Sequence, residues 1–186
     1  MKNLTNKDYQ IAAEVLGVDI ATIKTVAEVE SDGGGFLKNG QPKVLFEGHW
    51  FHRFTNGKYT NTENANVSYP NWNTTYYNEN QHLRLAKAVR LNREAALKSA
   101  SWGKFQIMGF NYEAAGFGNL QSFINAMYRN EGAQLLAFVN FVKNEGLDRF
   151  LVAKDWAGFA KRYNGSGYAK NKYDVKLAEA YKKHSK

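Results

Sequence analysis

Three glycines in succession, Gly33-Gly34-Gly35, constrain this chain more than any other feature of it. Glycine loses the most backbone freedom on ordering and weakens a helix or strand interior, so regular structure entering that run ends there. Upstream, Asp19 is a natural N-cap, and Ile20, Ile23, Val26 and Ala27 recur at helical spacing. The helix they define runs from Asp19 to the glycines and carries two glutamates, Glu28 and Glu30, close to its end. At about 100° per residue Glu30 falls inside the apolar face. Glu28 falls opposite it, four residues after Lys24, where an ordinary surface ion pair is expected.

The two glutamates therefore have different chemical prospects. A carboxyl set against apolar surface has its ionised form disfavoured and its pKa raised. That is the condition for a general acid, which must hold a proton near neutral pH and deliver it to a leaving oxygen. The glycines that follow would open the helix end and let a substrate approach closely. The competing role for Glu30 is structural: a helix-terminal glutamate bonded to a backbone amide or a buried arginine.

The remaining elements follow from caps and periodicity. Thr5 with Asp8 three residues on, Leu4 as a staple and Gly17 as a stop frame a first helix with Ile11, Ala12, Val15 and Leu16 inward. Residues 36–54 carry a turn at Asn39-Gly40 and then an extended aromatic run, which predicts a small β-hairpin or a pair of short strands. Residues 55–78, rich in Asn, Thr and Tyr, read as a long loop, and a loop of that length inside a compact domain is more often functional than idle. One helix is expected over 80–98 with Leu83, Ala86, Val89 and Ala96 inward. Others are expected near 119–128 and 131–145, after Asp155, and over 171–183. The fold class is mainly α, with a minor β element, in a single domain spanning residues 1–186.

Composition narrows the chemistry. The chain has no cysteine, which removes disulfides, thiolate metal sites and a cysteine nucleophile. Its histidines, His49, His52, His82 and His184, lack a zinc spacing, so neither a metal nor another cofactor is expected. The net charge of +8 points to a polyanionic partner: nucleic acid, an anionic membrane or a bacterial cell wall. No nucleic-acid motif is present and the basic residues are interleaved with acids, so nucleic acid is set aside. The N-terminal MKNLTNKDYQ lacks the apolar core of a secretory signal, and no run of about eighteen apolar residues occurs, so synthesis as a soluble cytoplasmic protein is expected.

Two further segments carry hydrogen-bonding groups among aromatics. In SASWGKFQIMGFNY, Ser101, Gln106 and Asn111 lie between Trp102, Phe105 and Tyr112. Aromatic faces with amide and hydroxyl partners suit a sugar, and equally suit a core crossing whose rings merely pack. In DWAGFAKRYNGSGY, Tyr163-Asn164-Gly165 end a short helix, with Asn a usual residue at such an end.

A helix ending in Glu-Ser plus glycines, a later Ser-x-x-Gly-x-x-Gln-Ile-Met and a still later Tyr-Asn-Gly, in this order, resemble the lysozyme-like superfamily of goose-type lysozymes and lytic transglycosylases. The closer resemblance is to the bacteriophage endolysin N-acetylmuramidases. It extends over VAEVES followed by GGGF, PKVLFEGHWFHR, SASWGKFQIMGFNY, DWAGFAKRYNGSGY and NKYDVKLAEAY. Five strings in order across one chain make a specific signal. The resemblance implies an α+β lysozyme-like fold and cleavage of the β-1,4 bond between N-acetylmuramic acid and N-acetylglucosamine in peptidoglycan. It makes Glu30 the catalytic glutamate, places Ser101 and Gln106 on the cleft floor, and sets Tyr163 and Asn164 on the wall facing Glu30.

The second carboxylate is left open by the resemblance. Glu47, in the aromatic run, is the candidate base or electrostatic partner, or else a structural glutamate paired to Arg53 or the backbone; Asp32 is close in sequence and suited to a local cap. Without a second carboxylate, the substrate's own N-acetyl group would assist, or a lytic transglycosylase would release a 1,6-anhydro sugar. Further expectations are a monomer that waits in the host cytoplasm for a holin and then reaches the cell wall. The C-terminal helix, with Val175, Leu177, Ala178 and Tyr181 beside Lys176, Lys182 and Lys183, either docks on an anionic outer membrane or packs on the domain with its lysines solvated. The rival from another class is a wall-binding module without activity.

Overall fold

The computed structural model describes residues 3–31 and 33–186; Asp32 lies outside them. The chain begins as its caps dictate. Thr5 and Asp8 form a reciprocal capping box on α1 (Asn6–Leu16), and Gly17 closes it in the left-handed conformation at φ 66°. Ala12 and Leu16 are buried as expected. Ala13 takes the inward place assigned to Ile11, which is 41% exposed. Helix α2 (Ile20–Val29) is capped by Asp19, whose carboxylate accepts from Thr22 N at 2.6 Å. Ile23, Val26 and Ala27 are buried, whereas Ile20 at the helix start stays partly open. The helix ends on Glu30, one turn before the backbone reverses at Gly33 (φ 77°).

The β element keeps the expected small hairpin and adds pairings with distant residues. The Asn39-Gly40 turn is present, with an isolated bridge joining Phe36 to Pro42. The strand after it, β1 (Val44–Phe46), pairs with β2 (Ala100–Trp102), and β2 pairs with β3 (Ile107–Met108), in an antiparallel sheet of order β1-β2-β3. The aromatic residues after β1 are helical, in α3 (Gly48–Phe54). Aromatics favour strands, but Trp50 and Phe54 are one helical turn apart and stack on each other at 5.7 Å, while Phe51 is fully buried.

Residues 55–78 form turns without a regular helix or strand. The expected helix over 80–98 is two helices, α4 (Gln81–Leu91) and α5 (Arg93–Lys98). Between them Asn92 adopts an extended conformation at φ −157° and caps α5 through Ala95 N. The inward face of α4 is also rotated from the expected one. Leu83 is 70% exposed, and Arg84, Leu85 and Ala88 are buried instead. Arg84 sets that rotation: its guanidinium donates to Phe46 O, Asn66 O and Gln81 Oε1, which satisfies a charge that would otherwise be too costly to bury. Helix α6 (Leu120–Arg129), α7 (Glu131–Asn144), α9 (Trp156–Tyr163, capped by Asp155) and α10 (Tyr173–His184) lie near their expected positions. The short α8 (Asp148–Val152) was not foreseen. A continuous core joins these elements, with Phe46, Trp102, Phe123, Phe138 and Phe159 at its centre.

Candidate active site

Glu30 is placed by the end of α2. As the C-cap residue at φ −89° and ψ −1° it keeps helical geometry, so its side chain continues the inward face while its backbone leads out of the helix. It is half-buried and lines a cleft of about 380 Å³ together with Phe105, Gln106, Met108, Asn111, Tyr163 and Asn164. The C-cap of α9, Asn164, faces it and donates from Nδ2 to Glu30 Oε1 at 3.0 Å. Burial pushes the Glu30 carboxyl up to about 7, against the smaller opposing pulls of the Asn164 hydrogen bond and of Lys176. A carboxyl with that value is about half protonated at neutral pH and remains hydrogen-bonded in a defined direction. Glu28 faces away from the cleft. It pairs not with Lys24 but with Lys183 at 2.9 Å and His184 at 2.8 Å.

The wall beside Glu30 is aromatic. Tyr163 stacks on Phe159 at 5.5 Å and meets Phe138 edge-on, and Phe138 stacks on Phe105 at 4.6 Å. The Tyr163 hydroxyl is held well above the usual phenol range, first by burial and then by the charges of Glu30 and Tyr173. It is a neutral hydrogen-bonding group at any physiological pH.

The opposite side comes from the turn between β2 and β3. Gln106 sits there in the left-handed region at φ 49°. Its Nε2 donates to Gly103 O at 2.8 Å, and its Oε1 accepts from Ser101 Oγ at 2.7 Å. Ser101 is buried, pairs with Leu45 across the sheet, and holds the amide of Gln106 rather than facing the cleft itself. Glu30, Gln106, Tyr163 and Asn164 are thus brought together, with Ser101 one layer behind. Among the described residues, the cleft also takes Asn111, Met108, Phe141 and Tyr173. Asn111 lies in the segment that the sequence reading marked, and Tyr173, at the start of α10, lies in the NKYDVKLAEAY string but was given no role there.

Glu47 occupies a different environment. It follows β1 and stands at the N-cap of α3, without using its side chain as the cap. Tyr77 donates its hydroxyl to Oε1 at 2.6 Å, and His49 Nδ1 lies 3.4 Å from Oε2. The expected alternative partner, Arg53, stacks instead on Trp50 at 5.2 Å. Glu47 does not border the cleft around Glu30, where Glu30 is the lone carboxylate among the described lining residues. Among the described residues no three His, Asp or Glu side chains cluster as a metal site, and no helix is long and apolar enough to cross a membrane.

Comparison with known proteins places this geometry. The endolysin of Enterobacteria phage PRD1 is 35% identical over 92 residues, which make up 46% of this chain and 60% of that protein. The match thus spans less than two thirds of that relative. The crystal structure of the Burkholderia AP3 phage endolysin superposes with a TM-score of 0.91 at 39% identity, covering 99% of this chain and 71% of that one. The N-acetylmuramidase family model matches residues 19–185, nearly the whole sequence and every residue of the cleft described above. The chain belongs to the N-acetylmuramidase family.

Proposed function

We propose that the protein is a peptidoglycan hydrolase of the endolysin kind, cleaving the β-1,4 bond between N-acetylmuramic acid and N-acetylglucosamine. The observation that carries this reading is Glu30, a carboxyl raised to about 7 in an open cleft and oriented by Asn164. In the reaction Glu30 gives its proton to the glycosidic oxygen as the C1–O bond breaks. Water forms the new bond to C1, and its proton passes to a second carboxylate, for which Glu47 is the candidate. Asn111, the Gln106 amide and the Tyr163 hydroxyl supply hydrogen bonds to sugar hydroxyls and N-acetyl groups, and the aromatic wall supplies an apolar face.

A second reading has its own observation. Because Glu30 is the lone carboxylate among the described cleft-lining residues, attack at C1 by the substrate's own hydroxyl, as in a lytic transglycosylase, needs no second carboxylate: Glu30, having protonated the leaving oxygen, takes up the hydroxyl proton. The two readings differ in product. Mass spectrometry of digests of purified peptidoglycan is expected to show reducing N-acetylmuramic acid ends with wild type and none with Glu30→Gln. Anhydro ends would establish transglycosylation and release Glu47 from the mechanism. Binding without products from either protein would leave a wall-binding module. The net charge of +8 suits an anionic wall, and release from the host cytoplasm through a holin, followed by action as a monomer, completes the proposed setting.

A further inference from the structure

Glu47 is 9% exposed, yet its two oxygens are treated differently by the fold. Oε1 receives the Tyr77 hydroxyl at 2.6 Å. Oε2 and the facing His49 Nδ1 are both buried and have no hydrogen-bond partner among the described residues, although they lie 3.4 Å apart. A buried carboxylate oxygen left unpaired costs stability. Glu47 stands at the start of α3 and makes no side-chain cap bond there.

Tyr77 arrives from the end of the long 55–78 segment, which is tied down next to Glu47 by Arg84. That guanidinium donates to Asn66 O and Phe46 O, and to the Tyr69 hydroxyl at 3.3 Å. Tyr69 in turn accepts from Gly48 N, the residue after Glu47, at 3.2 Å. Gln81 donates to Tyr76 O and Tyr77 O at 3.0 Å each. The loop that carries Tyr77 and the strand that leads into Glu47 are therefore held by one buried cation. His49 is kept toward its neutral form, by burial first and against the pull of Glu47. It also lines an open groove on the outer side of α3 with Trp50 and Arg53.

We infer that Tyr77 and His49 are positioning residues for Glu47, Tyr77 fixing one oxygen through its hydroxyl and His49 standing against the other. The inference rests on the reading of Glu47 as the second carboxylate, and it gives the long loop its purpose. A hydroxyl held on an ionised carboxylate is worth about tenfold to a hundredfold in whatever depends on that geometry.

The test is a double-mutant cycle on purified peptidoglycan. Tyr77→Phe is expected to lower kcat by about tenfold or more with KM unchanged. In the Glu47→Gln background the same substitution should alter the residual rate by less than about twofold, since the group it positions is gone. Wild-type turnover in Tyr77→Phe, or an equal loss in both backgrounds, overturns the inference while leaving Glu47 in place. Wild-type turnover in Glu47→Gln removes the second-carboxylate reading, and the inference with it. His49→Gln, run in parallel with melting curves, carries the same expectation on kcat and decides the matter if Tyr77→Phe does not fold.

Discussion

A carboxyl raised from 4.5 to about 7 has consequences for folding as well as chemistry. Below the ordinary glutamate range both folded and unfolded chains hold the proton, and Glu30 costs nothing. As pH climbs from about 4.5 to 7 the unfolded chain releases that proton before the folded one does, so stability falls across this window. The penalty levels off above about 7 at up to ~3 kcal/mol. Glu30→Gln keeps the oxygen that accepts from Asn164 and abolishes the titration. Its melting temperature is therefore expected to exceed that of wild type at pH 8 and to converge with it near pH 4.5, as thermal denaturation would show; equal melting curves at both pH values would contradict the burial of Glu30. Activity carries the complementary sign. The rate should fall as pH rises through about 7, and Asn164→Ala, which removes a bond favouring the ionised form, should move that limb to higher pH in a pH–rate profile. That Glu30 faces the cleft while Glu28 faces away was legible in the sequence, because both placements follow from one helical periodicity. The partner of Glu28 was not, because Lys183 and His184 are brought to it by the docking of α10, and Lys24 is drawn instead over the Tyr9 ring at 5.7 Å.

At the scale of elements, caps were readable and pairings were not. Thr5, Asp19 and Asp155 each start a helix where local hydrogen bonding alone requires it. The partner of β1 comes from residues 100–102 and leaves no mark near residue 44. The face of α4 was misjudged for a related reason: a buried arginine outweighs leucine when a loop supplies carbonyls to receive it. The turn from β3 toward Tyr112 shows how tightly the cleft floor is set. Gly109 opens that turn, and a Cβ there would stand 2.0 Å from Leu97 O, a backbone atom that cannot rotate away. Gly109→Ala is expected to destabilise the protein by about 2 kcal/mol or more, as overpacking against a rigid neighbour does. It should also lower activity before the global melt, since Met108 and Asn111 flank the displaced residue in the cleft. Denaturant unfolding beside a turnover assay separates the two effects, and an unchanged midpoint would show that the turn yields more easily than its spacing implies.

The whole molecule is closed by its last helix, whose packing on the domain favours the second of the two roles weighed for it. Helix α10 lies against α2 and α9, with Leu177 fully buried and Ala180 nearly so. Tyr181 packs on Trp156 at 5.3 Å and donates to Asp19 Oδ2 at 3.1 Å. Lys154 reaches the same carboxylate at 2.6 Å, and this network holds Asp19 down to about 2 despite its desolvation. The apolar side that would enter a membrane is thus occupied by the domain, and Val175, 46% exposed, is the large apolar side chain that α10 leaves outward. Removing residues 175–186 would uncover the inward side of α2, take away Lys176 near Glu30, and forfeit about 2–3 kcal/mol from Leu177 alone. With natural domains stable by only about 5–15 kcal/mol, that truncation is expected to abolish the cooperative melt followed by circular dichroism, and with it the turnover of purified peptidoglycan. A truncated chain that melts cooperatively and still digests purified wall, but no longer kills intact cells, would instead assign α10 to the membrane, because its loss would then spare the fold and the cleft together.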